Sequence, residues 1–232
     1  LFVAHSHLET VGCTAVVIPT DAWFSVNPKW KAAANVPAST PWSDMKPKGW
    51  HAGSVVQLHT EEPDSAHPDV WMIDSIANTP AAVGELVFRV VEKIVKGAGP
   101  ALRDRAKAAG LRLPLIALPM VGSGHGGHTN DRGRLADALI RSLSAAAAEY
   151  GVDIVLVTAS RSDYGVLQQL RRNQGPGSSF TKLLGPELLD QAKDLGLKVA
   201  HQDVALFFGA GLSMGAGLPS WSGLLQRLLT EA

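Results

Sequence analysis

The stretch 114-PLIALPMVGSGHGGHTNDRGRLADALIRSL-143 contains, in order, an apolar run, a glycine-rich turn and a helical pattern. The run 114–120 predicts a buried strand, and 134–151 has the spacing of a helix that ends at Gly151. Strand, turn and helix in this order form the repeating unit of a parallel α/β sheet. Consecutive N–H groups in such a turn, next to the positive end of a helix, can hold a phosphate. The alternative is a plain connecting turn, with Asp131 capping the helix.

Strand and helix patterns alternate along the rest of the chain. Short apolar runs predict strands at 13–19, 54–60, 70–76, 152–160 and 203–208. Helical spacing predicts helices at 81–99, 134–151, 162–173 (capped by Ser162 or Asp163), 186–198 and 218–232, and 100–110 forms another helix or continues the first. Residues 23–50 lack a clean period and predict a long ordered loop with a short helix around Lys29 to Ala34. We expect residues 1–172 to form a three-layer α/β/α domain with a mixed sheet, followed by a linker with a helix over 173–200.

Composition excludes several classes of protein. The chain has 232 residues, of which 46% are hydrophobic, and its 21 basic residues balance its 21 acidic ones. No net field therefore favours nucleic acid or a membrane surface, and no apolar run reaches the ~20 residues that span a bilayer. Cys13 is the single cysteine, which fits a cytoplasmic protein without disulfides. His125 and His128 have no third ligand nearby in the sequence, so we expect no metal.

A second glycine-rich turn follows the predicted strand 203–208. The string 209-GAGLSMGAGLP-219 resembles the first NAD-binding motif of the sirtuin (SIR2) superfamily, Gly-Ala-Gly-x-Ser-x-x-Ala-Gly-Ile-Pro, with Leu218 for the isoleucine. Residues 201–232 are then the start of a truncated Rossmann-like domain. The resemblance implies that NAD diphosphate and ribose would be lined by Gly209, Ala210, Gly211, Ser213, Ala216, Gly217 and Pro219. A strand-to-helix turn without a ligand is the alternative.

The residues after this motif indicate which members of the sirtuin superfamily the chain resembles. Sirtuin deacetylases continue with Asp-Phe-Arg, whereas this chain has Ser220-Trp221-Ser222. The sequence Pro-Ser-Trp at this place resembles the sirtuin-like domains of bacterial antiphage defence proteins, many of which hydrolyse NAD. The catalytic asparagine and histidine of the family lie downstream of Ala232, so we expect the 232 residues alone to be inactive. The resemblance implies a homo-oligomer for the full protein.

The order of elements over residues 1–160 resembles the macro domain, a fold that binds ADP-ribose. The segment 114–143 fits the phosphate-binding loop of that family, with Gly126 at its aromatic place. The stretch 15-AVVIPTDAWF-24 takes the place of the first strand, and Thr20-Asp21 stands where ADP-ribosyl hydrolases have a catalytic asparagine. The resemblance therefore implies a binding domain without hydrolase activity.

The binding site is expected at the carboxyl ends of the strands. The resemblance assigns it Thr20, Asp21, Val121, Gly122, Ser123, Gly124, His125 and Gly126, together with Pro19 and Ser160. Asp21 would accept from an adenine amino group, or it would cap a turn. Trp23, Trp30, Trp42 and Trp50 either anchor the long loop to the core or stack on a base.

Three functions remain open from the sequence. The first is a nucleotide sensor domain of a sirtuin-type NAD⁺ hydrolase, in which a bound nucleotide shifts a two-state equilibrium. The second is an ADP-ribose reader attached to a sirtuin-type deacylase. The third is an oligomerisation domain with an empty cleft.

Overall fold

The structure of the chain is a computed structural model that describes residues 1–58, 67–123, 131–173, 186–201 and 203. The chain divides into two compact units, Leu1–Gly175 and Pro176–Ala232. The second unit contributes one described helix, Pro186–Ala200, close to the predicted 186–198. The described residues include Asp203 but no other residue of the predicted strand 203–208. They include no residue of the sirtuin-like motif or of the predicted helix 218–232.

Six strands of the first unit form one mixed sheet. They are β1 (Phe2–His5), β2 (Ala15–Thr20), β3 (Val55–Leu58), β4 (Asp69–Asp74), β5 (Leu115–Pro119) and β6 (Asp153–Thr158), in the order β1-β6-β5-β2-β4-β3. Only the β3–β4 pair is antiparallel. The prediction missed β1, because four residues with the burial pattern exposed, buried, half-buried, exposed carry too little periodicity.

Three α-helices are described in this unit: α1 (Pro80–Ala108), α2 (Arg132–Tyr150) and α3 (Arg161–Asn173). The segment 100–110 continues α1, with Pro100 inside the helix. Helix α3 begins one residue before the predicted start, so Ser162 and Asp163 are not its cap. Ser160 caps it instead, because its hydroxyl oxygen accepts from the N–H of Asp163 at 3.2 Å.

The two faces of the sheet are covered by different kinds of structure. The buried side chains of α1, α2 and α3 pack on one face, with Val17 and Ile116 of the central strands. The other face is covered by Leu8 and by residues 24–50. The α/β class is therefore confirmed, but in the described part of this unit the second layer is a loop with 3₁₀ helices at Pro28–Trp30 and Trp42–Met45. Its Pro content prevents a regular helix of the usual length.

The long loop is held in place by aromatic side chains. Trp42 and Trp50 are buried against the sheet, and the ring of Phe24 meets both edge-on, at 6.5 and 5.1 Å. Edge-to-face rings at these distances attract each other beyond the effect of burial alone. For Trp42 and Trp50 the structure thus confirms the anchoring alternative. Between Lys29 and Ala34, where a helix was predicted, the chain forms the 3₁₀ turn Pro28–Trp30 and irregular turns.

Candidate functional site

The sheet opens between its two central strands. β2 pairs with β4 along all six of its residues, but it pairs with β5 only at Ala15↔Ile116 and Val16↔Ala117. Beyond these pairs β2 continues to Thr20 and β5 to Pro119, and the structure records no β2–β5 pair over those residues. The unpaired carboxyl ends of β2 and β5 mark the candidate site, which we infer to be a crevice between the two strands.

This crevice lies where the path of the chain changes direction. After β2 the chain moves to β3 and β4 on one side, whereas after β5 it moves to β6 on the other. The connections leave the two strands in opposite directions. In open α/β sheets such a switch point, at the carboxyl ends of the strands, is the usual place for a ligand.

Thr20 is the last residue of β2, at the carboxyl end where the β2–β5 ladder has ended. Its carbonyl oxygen accepts two hydrogen bonds from Ser75, one from the backbone N–H and one from the hydroxyl, both at 2.9 Å. These bonds tie the end of β2 to the end of β4 and away from β5. The hydroxyl oxygen of Thr20 is buried and has no hydrogen-bond partner among the described residues. A buried hydroxyl without a partner is costly and needs an explanation.

Asp21 holds the turn that follows β2. Its Oδ1 accepts from the N–H of Trp23 at 3.0 Å and from that of Ser25 at 2.8 Å. Partial burial opposes ionisation, but these donors outweigh it and keep the pKa of Asp21 below its ordinary value. The structure thus confirms the turn-cap alternative, and the contact with an adenine amino group stays a prediction. The turn places Phe24 at φ 69°, a strained conformation for a bulky residue that costs about 1–3 kcal/mol.

The opposite wall begins with a tight turn after β5. The N–H and the hydroxyl of Ser123 both donate to the carbonyl oxygen of Met120, at 3.3 and 2.7 Å. Gly122 occupies the third place of this turn with φ 81°, which a type II turn requires and which a side chain would strain. The first glycine of the predicted phosphate loop therefore shapes the turn that starts the loop.

The beginnings of α2 and α3 are joined beside this turn. Both guanidinium nitrogens on one edge of Arg132 donate to the carboxylate of Asp163, and a third nitrogen lies 3.5 Å from the carbonyl oxygen of Ser123. A bidentate pair of this kind fixes geometry as well as charge. Arg132 therefore connects the start of the glycine loop to α3. Asp131 precedes α2 without a side-chain capping bond, and its carboxylate lies 3.6 Å from Arg134 instead.

The structure brings those predicted site residues that it describes to one edge of the sheet. Pro19, Thr20 and Asp21 end or follow β2, and Val121, Gly122 and Ser123 follow β5. Ser160 follows β6, but its hydroxyl serves the cap of α3. The described residues do not include Gly124, His125, Gly126 or His128, and they do not include residues 209–219. Of the four loop tryptophans, Trp23 is 79% exposed at this edge and Trp30 is half-buried.

Asp74 and Arg132 have roles that the sequence analysis did not assign. Asp74 ends β4 and is buried, and its two oxygens accept from the N–H groups of Gly53 at 2.7 Å and Ile76 at 3.2 Å. An aspartate at the last place of an apolar strand was the available signal. For Arg132, the pairing with a residue 31 positions away could not be read from local sequence.

Other features of the described residues lie away from the crevice. An open groove on α1 and α2 is lined by Glu85, Phe88, Arg89, Arg141, Ser142 and Ala145. Within the ranges that the structure covers, no helix is both long and apolar enough to cross a bilayer. The same ranges hold no cluster of three histidine, cysteine or acidic side chains that could hold a metal.

The sheet order, the helices on one face and the crevice between β2 and β5 define a macrodomain fold. Similar solved structures include the Oceanobacillus iheyensis macrodomain with ADP, at a TM-score of 0.50 and 15% identity over 74% of this chain and 90% of that one. A glycine-to-valine mutant of the same macrodomain with ADPR has a TM-score of 0.50 and 16% identity, over 74% and 91%. An asparagine-to-alanine mutant has a TM-score of 0.51 and 14% identity, over 74% and 87%.

At these identities the likeness shows the fold alone. No protein-family model matches the chain, and no curated protein matches it. The comparisons therefore confirm the macro-like architecture expected from the sequence and say nothing of the sirtuin-like segment.

Proposed function

We propose that the unit Leu1–Gly175 binds an ADP-ribose-like nucleotide in the crevice between β2 and β5. The observation that carries the proposal is the opening of the β2–β5 ladder at a switch point of the sheet. The ADP and ADPR in the macrodomain structures of the same fold support it. The unit recognises the nucleotide without cleaving it, because Thr20-Asp21 stands where the hydrolases of the resembling family have asparagine.

Each wall of the crevice has a role in this proposal. The turn Met120–Ser123 begins a loop whose N–H groups, continued through Gly124, His125 and Gly126, hold the diphosphate. The hydroxyl of Thr20 supplies a hydrogen bond to the ligand from the opposite wall. A ligand oxygen at that place would satisfy the buried hydroxyl.

The wider role that we propose rests on the motif 209–219. Its resemblance to sirtuins supports a cytoplasmic, oligomeric NAD⁺ hydrolase of antiphage defence, in which the macro-like unit senses a nucleotide and the motif binds NAD.

A hydrolase releases nicotinamide with water alone, whereas a deacylase needs an acylated lysine peptide. Nicotinamide release by the protein that carries this chain, with and without such a peptide, separates the two. Gly211→Val is the variant expected to abolish it, because a side chain blocks the approach of a diphosphate.

Nucleotide binding is tested by calorimetry with ADP-ribose on two matched variants of the whole chain. Thr20→Val removes the unpartnered hydroxyl at the crevice and keeps the shape, so we expect roughly 5-fold weaker binding and unchanged stability. Thr14→Val removes a hydroxyl that donates to the carbonyl oxygen of Leu115 at 2.9 Å, at the amino end of β2. We expect it to lose about 1 kcal/mol of stability and no affinity.

The two variants also define the contrary outcomes. If the wild-type chain binds neither ADP-ribose nor ADP, the alternative of an oligomerisation domain with an empty cleft is favoured. If both variants bind like wild type, nucleotide binding stands but its place at the end of β2 is wrong.

A further inference from the structure

Trp23 differs from the other tryptophans that the structure describes. Trp42, Trp50 and Trp71 are buried, and Trp30 is half-buried beneath the ammonium group of Lys29, 4.4 Å from its ring. The indole of Trp23 is 79% exposed. An exposed indole gains none of the free energy that burial gives to the three buried tryptophans. Packing therefore does not explain the position of the Trp23 side chain.

The backbone of Trp23 is nevertheless held firmly. Its N–H donates to Oδ1 of Asp21 at 3.0 Å, and its carbonyl oxygen accepts from the ammonium group of Lys46 at 3.3 Å. The next residue, Phe24, is buried between Trp42 and Trp50 in a strained conformation. The turn therefore presents an exposed ring on a fixed base, so a ligand would not need to order the backbone of the turn.

The turn that carries Trp23 begins at the carboxyl end of β2. Trp23 is three residues beyond Thr20, the last residue of β2, and two beyond the carboxylate of Asp21. The face of an indole is electron-rich and attracts a planar cation, more strongly than the face of a phenyl ring does. The carboxylate of Asp21 adds attraction for a cation, whereas the ammonium group of Lys46 on the carbonyl oxygen of Trp23 opposes it, so the preference rests on the face of the indole. A positively charged aromatic ring fits that face.

We propose that Trp23 is the stacking surface for the nicotinamide ring of oxidised NAD⁺, and that this ring is what the unit distinguishes from ADP-ribose. The inference rests on the proposed nucleotide binding, adds the class of ligand, and places the nicotinamide end of the ligand beside Asp21 in place of the adenine that the resemblance assigned there. NAD⁺ carries a cationic planar ring on its distal ribose, ADP-ribose carries none there, and NADH carries a neutral ring. The unit thus binds intact NAD⁺ in preference to its hydrolysis product.

The test is calorimetry of the whole chain with NAD⁺, NADH and ADP-ribose. We expect the wild type to bind NAD⁺ roughly 5- to 30-fold more tightly than ADP-ribose, with NADH between them, as a cation over an indole implies. Trp23→Ala is expected to bring the NAD⁺ and ADP-ribose affinities within twofold of each other and to leave the affinity for ADP-ribose unchanged. Trp30→Ala, which removes a tryptophan of the same loop, is expected to keep the wild-type ratio.

Fluorescence gives a second, independent result. We expect NAD⁺ to quench the tryptophan emission of the wild type and of Trp30→Ala. In Trp23→Ala the quenching that comes from Trp23 is expected to be absent. Equal affinities of the wild type for NAD⁺ and ADP-ribose, or a ratio that survives Trp23→Ala, overturns the role of Trp23 and leaves nucleotide binding intact. Failure of the wild type to bind any of the three ligands overturns the nucleotide proposal itself.

Discussion

Trp23 and Phe24 are neighbours in the chain, yet their rings point to opposite environments. Trp23 is 79% exposed and Phe24 is 5% exposed. The positive φ of Phe24 turns its ring into the core, while Asp21 and Lys46 hold Trp23 at the surface. The cost of the strain is offset by packing between two indoles. One turn after β2 thus provides both the anchor of the long loop and an exposed ring at the crevice.

The two buried indoles of the long loop differ in one hydrogen bond. The Nε1–H of Trp50 donates to the carbonyl oxygen of Asp21 at 2.9 Å, whereas that of Trp42 has no partner among the described residues. We expect Trp50→Phe to lose about 1 kcal/mol more stability than Trp42→Phe, since only the first breaks a bond. Urea unfolding of both variants measures this difference. Equal losses would show that burial alone holds the two side chains.

Two helical glycines should respond oppositely to alanine. A Cβ on Gly84 would lie 2.8 Å from the hydroxyl oxygen of Ser142 and 3.2 Å from the carbonyl oxygen of Ala138, so α1 and α2 would have to separate. Gly165, in the middle of α3, has nothing within 4 Å of that place. We expect Gly84→Ala to lose about 1 kcal/mol or more and Gly165→Ala to gain up to about 1 kcal/mol. Thermal unfolding of both variants decides it, and a stabilised Gly84→Ala would contradict the close helix contact.

Arg132 should support nucleotide binding more than stability. Arg132→Gln removes the bidentate pair with Asp163 and the contact to Ser123, which loosens the start of the glycine loop. We expect roughly 3- to 10-fold weaker binding of ADP-ribose by calorimetry, with less than about 1 kcal/mol lost in stability because the pair is partly exposed. Arg134→Gln, two residues along α2 and 83% exposed, is the control. Equal effects of the two variants on binding would refute the role of Arg132.

The thiol of Cys13 should be inert in the folded protein. Burial raises its pKa to about 12, although a hydrogen bond with the backbone of Ala117 acts in the opposite direction. The thiolate is the reactive form, and at pH 8 it makes up about one part in ten thousand of such a thiol. We expect a thiol reagent to label the folded chain very slowly at pH 8, about tenfold faster per pH unit up to pH 10, and rapidly in guanidinium. Since the chain has a single cysteine, rapid labelling at pH 8 without denaturant would contradict the burial of this thiol.

Much of the fold could be predicted because its signals are local. The runs 70–76 and 114–120 and the helix 134–151 each have a period or a glycine stop that is visible within twenty residues. The structure places β4, β5 and α2 within two residues of those limits. The glycine loop was likewise predicted to hold a phosphate because it follows an apolar strand, whereas the resemblance to macro domains assigned Thr20-Asp21 to the site. β1 was missed and the second layer was wrong, because neither a four-residue strand nor a proline-rich loop has a period of its own.

The sequence by itself determined the α/β alternation, the positions of the strand ends and the glycines after β5. Only the tertiary structure decided where the sheet opens, which loop tryptophans are anchors and which one faces the solvent. The physical reason is the range of the interactions. Periodicity and turn chemistry act between residues a few positions apart, whereas the β2–β5 ladder joins Ala15 to Ile116, about a hundred positions away, and ends after Val16↔Ala117.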